Sequence, residues 1–135
     1  MREIKFRAWW KASKIMLNNV QDFYDTLGDK RHGNEYEPVN SFGCILEEPD
    51  EYIVMQYTGL HDKNGKEIYE GDIVKTVYTD YKSHNGEVYF QGFRLGWAVK
   101  HGKHTNQDLF VYSLPDCSIE VIGNIYQDSH LLDNN

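Results

Sequence analysis

Two sharp reversals within twenty residues constrain this chain more than any other feature. The stretch Met55–Val74 reads MQYTGLHDKNGKEIYEGDIV. Asn64-Gly65 supplies positive-φ positions at little steric cost, so Asp62-Lys63-Asn64-Gly65 predicts a tight turn. It follows a strand-like run, Glu51–Thr58, rich in Tyr, Ile and Val. Lys66–Tyr69 leaves the turn, and Glu70-Gly71-Asp72 makes a second corner before a strand from Ile73 to Thr79. Gly71 suits the corner's backbone angle, and the Asp72 carboxylate is placed to accept turn amides. Asp62 is read in the same way, as a cap on its own backbone rather than as an acid–base partner of His61.

The flanking sequence continues in short strands. At residues 3–9, Ile4, Phe6 and Ala8 alternate with Lys5, Arg7 and Trp9, which predicts a strand with one buried face. Lys11–Lys14 reverses the chain and Ile15–Asn19 returns, an N-terminal hairpin with Trp9 and Trp10 at its tip. Residues 20–37 predict a helical turn or two and then an acidic loop, and Phe42–Glu48 a short strand stopped by Pro49-Asp50. Farther on, Asn85-Gly86 signals another hairpin turn. Val88 and Phe90 then share one parity, while Phe93, Leu95, Trp97 and Val99 share the other; a bulge at Gly92 would keep both sets on the core side. A loop at 100–107, strands at 108–114 and 118–122, and a helical turn at 123–126 complete the pattern.

Roughly five short strands between Ile68 and Tyr126 suit a small SH3-like barrel better than a sandwich of about seven strands. The expected class is mainly β: a small SH3-like barrel with an N-terminal β-hairpin elaboration and little helix. One domain over 1–135 is expected, with the hairpin and acidic loop in 1–54, the barrel in 55–127 and a flexible tail in 128–135.

Charge is segregated along the chain. Residues 1–19 carry five Lys or Arg against Glu3, whereas residues 20–51 carry nine acids against Lys30 and Arg31. The net charge of -7 disfavours nonspecific binding to phosphate backbones. No apolar run reaches membrane-spanning length, and the charged N-terminus MREIKFRAWW lacks the apolar region of a signal peptide. Cys44 and Cys117 stand far apart without a CxxC partner, which reads as two thiols in a reducing cytoplasm. A cytoplasmic location is expected.

Three blocks are distinctive: REIKFRAW at 2–9, MQYTGLHDKNGKEIYEGDIVK at 55–75 and EVIGNIY at 120–126. They closely resemble the YopX family, small proteins of phages and prophages in Gram-positive bacteria. The resemblance touches both ends and the middle, and implies an SH3-type β-barrel and a phage or prophage origin. It implies no enzyme activity and brings no functional residues with it. At Trp10 the chain departs from the family, which usually has an acid after the preceding Trp, so any role of that acid is in doubt here.

No constellation in the sequence carries obvious chemistry. His101 and His104 form HxxH with Asp108 nearby, but in a Gly-, Lys- and Asn-containing loop rather than on a helix, so a solvated loop is favoured over a zinc site. Glu47-Glu48, Asp50-Glu51 and the Glu67, Glu70, Asp72 group read as solvated or turn-forming acids. G-x-S-x-G, P-loop and G-x-G-x-x-G patterns are absent from the sequence. No catalytic residue, metal or cofactor is therefore expected, and the protein is not expected to be an enzyme. The candidate partner-binding surface is Lys5, Arg7, Trp9, Trp10 and Lys11 on the basic hairpin. A solvated strand face of Lys5 and Arg7 with the Trp pair packed against the barrel, self-association with the acidic segment of a second copy, and base stacking on single-stranded nucleic acid are its readings, in that order. The expected function is a non-catalytic phage or prophage accessory protein acting through protein–protein contacts, with homo-oligomers in view. The alternatives are a nucleic-acid-binding module using the hairpin and an acidic DNA mimic that inhibits a host enzyme.

Overall fold

Aromatic and β-branched residues at alternating positions form nine strands among the described residues, which in this computed structural model are 3–23, 41–92, 95–101 and 105–134. The chain divides between Gln56 and Tyr57 into two compact units. The protein is mainly β, with two antiparallel sheets, one of them curled into a half-barrel.

In the first unit, β1 (Phe6–Trp10) pairs with β2 (Ile15–Leu17) on one side. On the other it pairs with the start of β3 (Tyr52–His61), from Phe6↔Gln56 to Trp10↔Tyr52. Lys14 adopts φ 55 in the reversal and donates its backbone N–H to the Trp10 carbonyl at 2.8 Å. As a middle strand, β1 is covered on both faces: Arg7, Ala8 and Trp9 are all buried, which corrects the expectation of a single buried face. A second correction concerns Phe42–Glu48. Instead of a strand, Phe42–Leu46 is a short helix, α1, because the Ser41 hydroxyl accepts the Cys44 N–H at 3.1 Å as an N-cap. Phe42 and Ile45, three apart, turn toward the core of Ala8, Val20, Ile45 and Tyr52. Val20–Asp22 forms the expected helical turn; the acidic loop expected to follow it within residues 20–37 lies outside the described residues.

The second unit begins where Tyr57–His61 of β3 meets β4 (Glu67–Tyr69). Next come β5 (Asp72–Val77), β6 (Ser83–Gln91), β7 (Gly96–His101), β8 (Thr105–Asp108) and β9 (Ser118–Asn124), in the sheet order β8-β7-β6-β5-β9. Its core is Ile68, Val74, Val88, Val99, Leu109, Tyr112 and Ile119. The corner at Asp72 forms as expected: Gly71 has φ 86, and the buried Asp72 carboxylate accepts the Tyr69 N–H at 2.8 Å.

Four expectations in this unit are corrected. Asn85-Gly86 is not a turn; both residues lie inside β6, and the reversal falls earlier, near Tyr81 with φ 60. Gly86 serves close approach instead, because a Cβ there would stand 2.6 Å from Val99 Cγ1 and 2.9 Å from the Lys100 carbonyl oxygen. The parity change around Gly92 marks a hairpin rather than a bulge in one strand: β6 and β7 pair as Gln91↔Gly96 and Val88↔Val99, so reversal sets Val88 beside Val99 in the core, while Phe90 and Leu95 are exposed. Residues 109–114 are not a strand; Leu109–Ser113 is a 3-10 turn that buries Leu109 and Tyr112, three apart. The last residues are not a free tail either. Ser129–Asn134 forms another 3-10 turn, and Asn85 Nδ2 donates to the Leu131 carbonyl at 2.9 Å.

Candidate functional site

The tight turn after β3 does more than reverse the chain. Asp62 Oδ1 accepts the backbone N–H groups of Asn64 at 2.8 Å and Lys66 at 2.9 Å, the local cap expected from the sequence. Its Oδ2 accepts the N–H of Val121, 59 residues away on β9, at 2.9 Å. Lys63 adds a backbone bond to the Ile119 carbonyl at 3.0 Å. The turn thus covers the outer flank of β9. Burial pushes the Asp62 carboxyl upward, but the Val121, Lys66 and Asn64 amides and the Lys66 charge outweigh it, so its pKa lies below 3.8.

Beside this turn the half-barrel leaves two concave regions that share Leu60 and Leu109. One is a cleft of about 300 Å³ whose wall includes His61, Tyr112, Cys117 and Ile119. The other is a groove of about 440 Å³ lined by Leu60, Gly96, Trp97, Asp108, Leu109 and Phe110. Phe90 packs edge-on against Trp97 with ring centroids 5.2 Å apart, extending the apolar surface. Phe110 is 57% exposed, Phe90 47% and Leu60 39%, an uncommon outlay of large apolar groups to water on a small unit.

A polar network lies under the cleft. The buried Thr76 hydroxyl donates to the His84 carbonyl at 3.1 Å and stands 2.8 Å from His101 Nε2. Desolvation pushes the Tyr112 phenol up to about 12 against the opposing effect of its hydrogen bond with Thr76. His84, facing the His101 ring edge-to-face, also lies 3.4 Å from Asp80 at the surface. No group of His, Cys, Asp and Glu among the described residues converges as a metal site. His104 of the HxxH pattern lies outside the described residues. His61 is placed against Tyr57, with both ring nitrogens 3.4 Å from its hydroxyl, and Asp62 turns instead to backbone amides.

The hairpin residues singled out from sequence are separated rather than displayed together. Arg7 and Trp9 are buried, and Trp10 is half-buried, its ring stacked on Tyr52 with centroids 6.1 Å apart. Lys5 pairs with Glu3 at 3.2 Å, and Lys11 is exposed. Of the five, Arg7 and Trp9 are thus withdrawn from solvent, and the solvated strand face read for Lys5 and Arg7 does not hold at Arg7. The groove was missed because Leu60, Trp97 and Phe110 are scattered along the sequence and each fits an ordinary strand pattern.

A family model described as YopX protein matches residues 5–133. The chain belongs to the YopX family. The crystal structure of protein EF1440 from Enterococcus faecalis is similar over 98% of this chain and 99% of that one, at 25% identity and a TM-score of 0.58. The crystal structure of protein yopX from Bacillus subtilis shares the fold over 94% of this chain and 96% of that one, at 18% identity and a TM-score of 0.55. No curated protein matches the chain. The YopX match runs from β1 through the closing 3-10 turn, so it embraces both units and the groove. Among the described residues of this YopX-family chain, no helix is long and apolar enough to cross a membrane.

Proposed function

We propose that this protein is a non-catalytic binding module, a cytoplasmic accessory protein of a phage or prophage, that recognises a protein partner through the apolar groove of its half-barrel. The observation that carries this reading is the half-exposed cluster of Leu60, Trp97 and Phe110 around one groove, with Phe90 against Trp97. Large apolar and aromatic groups gathered on a rim are the usual anchors of protein interfaces. The surroundings favour binding over catalysis, since the histidines and acids near the groove face turn amides, hydroxyls or one another. Burial of Arg7 and Trp9 removes support from nucleic-acid stacking on the hairpin.

Size-exclusion analysis of lysate containing the tagged full chain tests the reading. The chain should migrate in a nuclease-resistant complex that is lost with Phe110→Ser and Leu60→Ser but kept with Lys11→Ala. Absence of a complex, a complex dissolved by nuclease, or one indifferent to Phe110→Ser would overturn it.

A further inference from the structure

The sequence holds two Asn-Gly pairs, Asn64-Gly65 and Asn85-Gly86. This dipeptide is the one most prone to intramolecular ring closure, because glycine lacks a Cβ and its amide nitrogen can approach the asparagine side-chain carbonyl. The local chemistry of the two pairs is identical, so their surroundings decide whether either reacts. Asn85 is held inside β6, between β5 and β7 and opposite Lys75, and its Nδ2 donates to the Leu131 carbonyl at 2.9 Å. Gly86 is buried, with Val99 and the Lys100 carbonyl close against it. Ring closure there requires β6 to leave both neighbours.

Asn64 stands in a different setting. It and Gly65 are exposed at the apex of the turn after β3. The Gly65 N–H donates to the Asp62 carbonyl at 3.0 Å, and the Asn64 N–H to Asp62 Oδ1 at 2.8 Å. Asn64 Nδ2 lies 3.5 Å from Glu120 Oε2, longer than a well-formed hydrogen bond. Freeing the Gly65 nitrogen therefore takes the local opening of one exposed turn, whereas freeing the Gly86 nitrogen takes the sheet apart.

We propose that Asn64 is a site of spontaneous deamidation and isomerisation, and that its isoaspartyl product releases the turn from β9. The Gly65 amide gives up its proton to solvent base, and its nitrogen attacks Asn64 Cγ. The Cγ–Nδ2 bond breaks, and the amide nitrogen takes a proton from water and leaves as ammonia, closing a succinimide. Water then opens the ring: cleavage at Cγ gives Asp, and cleavage at the main-chain carbonyl gives isoaspartate. Isoaspartate runs the main chain through Cβ, which adds an atom between Asn64 Cα and the Gly65 nitrogen. Asp62 Oδ1 accepts the Asn64 and Lys66 amides on either side of that insertion, while Oδ2 holds the Val121 amide of β9. One carboxylate no longer fits all three amides once the segment between two of them lengthens. The Asp product keeps the main chain but sets a carboxylate beside that of Glu120. Asp62, Lys63 and Ile119 belong to the wall of the cleft of about 300 Å³, so the change reaches the concave face as well.

Timed incubation of the purified full-length protein at mildly alkaline pH tests this, read by peptide mapping and by isoaspartyl methyltransferase labelling. Isoaspartate and Asp should accumulate at residue 64 at least about tenfold faster than at residue 85, and faster as pH rises. In urea, where turn and sheet are both open, the two sites should react at rates within about threefold of each other. Asn64→Gln, whose longer side chain closes the ring far more slowly, should lose the labelling at this position. The isoaspartyl form, separated by anion exchange, should keep its Val88 and Val99 amides protected while its Val121 amide exchanges at least about tenfold faster than in fresh protein. An Asn64 that stays intact in the folded chain while reacting in urea would overturn the site. Equal reaction of Asn64 and Asn85 in the folded chain would overturn the control by the surrounding sheet. An isoaspartyl form with unchanged Val121 exchange would overturn the release of β9.

Discussion

Replacing Asp62 separates the local and the long-range work of one carboxylate. Its two oxygens accept three backbone N–H groups, two in the turn and one on β9. A hydrogen bond to a charged acceptor contributes about 1.5–3 kcal/mol, but bonds sharing one group do not add fully and turn amides regain water when the group is removed. Asp62→Ala is therefore expected to destabilise the barrel unit by about 3–4 kcal/mol, less than three full bonds. Asp62→Asn is the sharper change. With the side-chain oxygen kept on the Asn64 and Lys66 amides, its NH₂ group faces the Val121 N–H, donor against donor, and about 1–3 kcal/mol is lost. Native-state exchange of the Val88 and Val99 amides reads these losses within the barrel unit; tryptophan fluorescence would mix Trp97 with Trp9 and Trp10 of the other unit. The Val121 amide should exchange much faster in both variants. The pH dependence follows from the same bonds. Because the folded carboxyl lies below 3.8, its contribution is complete well above that value and is lost as pH falls through the folded pKa. Asp62→Asn lacks this acid-sensitive component. Val121 protection unchanged in the Asn variant, or an Ala variant within about 0.5 kcal/mol of the parent, would refute the clasp.

Gly86→Ala should destabilise the barrel unit by about 1–3 kcal/mol in urea unfolding, because the new methyl meets the Lys100 carbonyl as well as the more yielding Val99 side chain. Ultraviolet titration should show one late tyrosinate absent from Tyr112→Phe, since the Tyr112 phenol ionises near 12. With this folded pKa raised above 10.0, the folded state holds the extra proton between the two values, so stability falls as pH rises from about 10 to 12.

What could be read from the residues and what could not divide along physical lines. Asn64-Gly65 and Glu70-Gly71-Asp72 were legible because positive φ and a short carboxylate act within a few residues, as Gly65 at φ 83 and Gly71 at φ 86 show. Asn85-Gly86 has the same local chemistry, yet Gly86 answers to Val99 and Lys100 across the sheet, which no local pattern reports. The parity change after Phe90 was a true signal with two solutions, a bulge or a reversal; pairing of Val88 with Val99 selects the reversal. At Leu109–Ser113 five residues of β-prone composition wind into a 3-10 turn because Leu109 and Tyr112 must both face the core. The barrel class and the hairpin were thus readable, while the groove was not. Its walls come from β3, β7, the end of β8 and the 109–113 turn, and only folding makes neighbours of them.

The placement of β9 has a consequence for synthesis. β5 has one flank for β6, made soon afterwards, and the other for β9, made only after β6, β7 and β8. At elongation speeds of about 5–20 residues per second, the interval between β5 and β9 lasts roughly 3–10 seconds. Throughout it the nascent chain holds an adhesive flank on β5 and an Asp62 without its Val121 partner. Chaperones that shield apolar strands should therefore meet this chain on the ribosome after β5 emerges, and release it as Ser118–Asn124 takes its place.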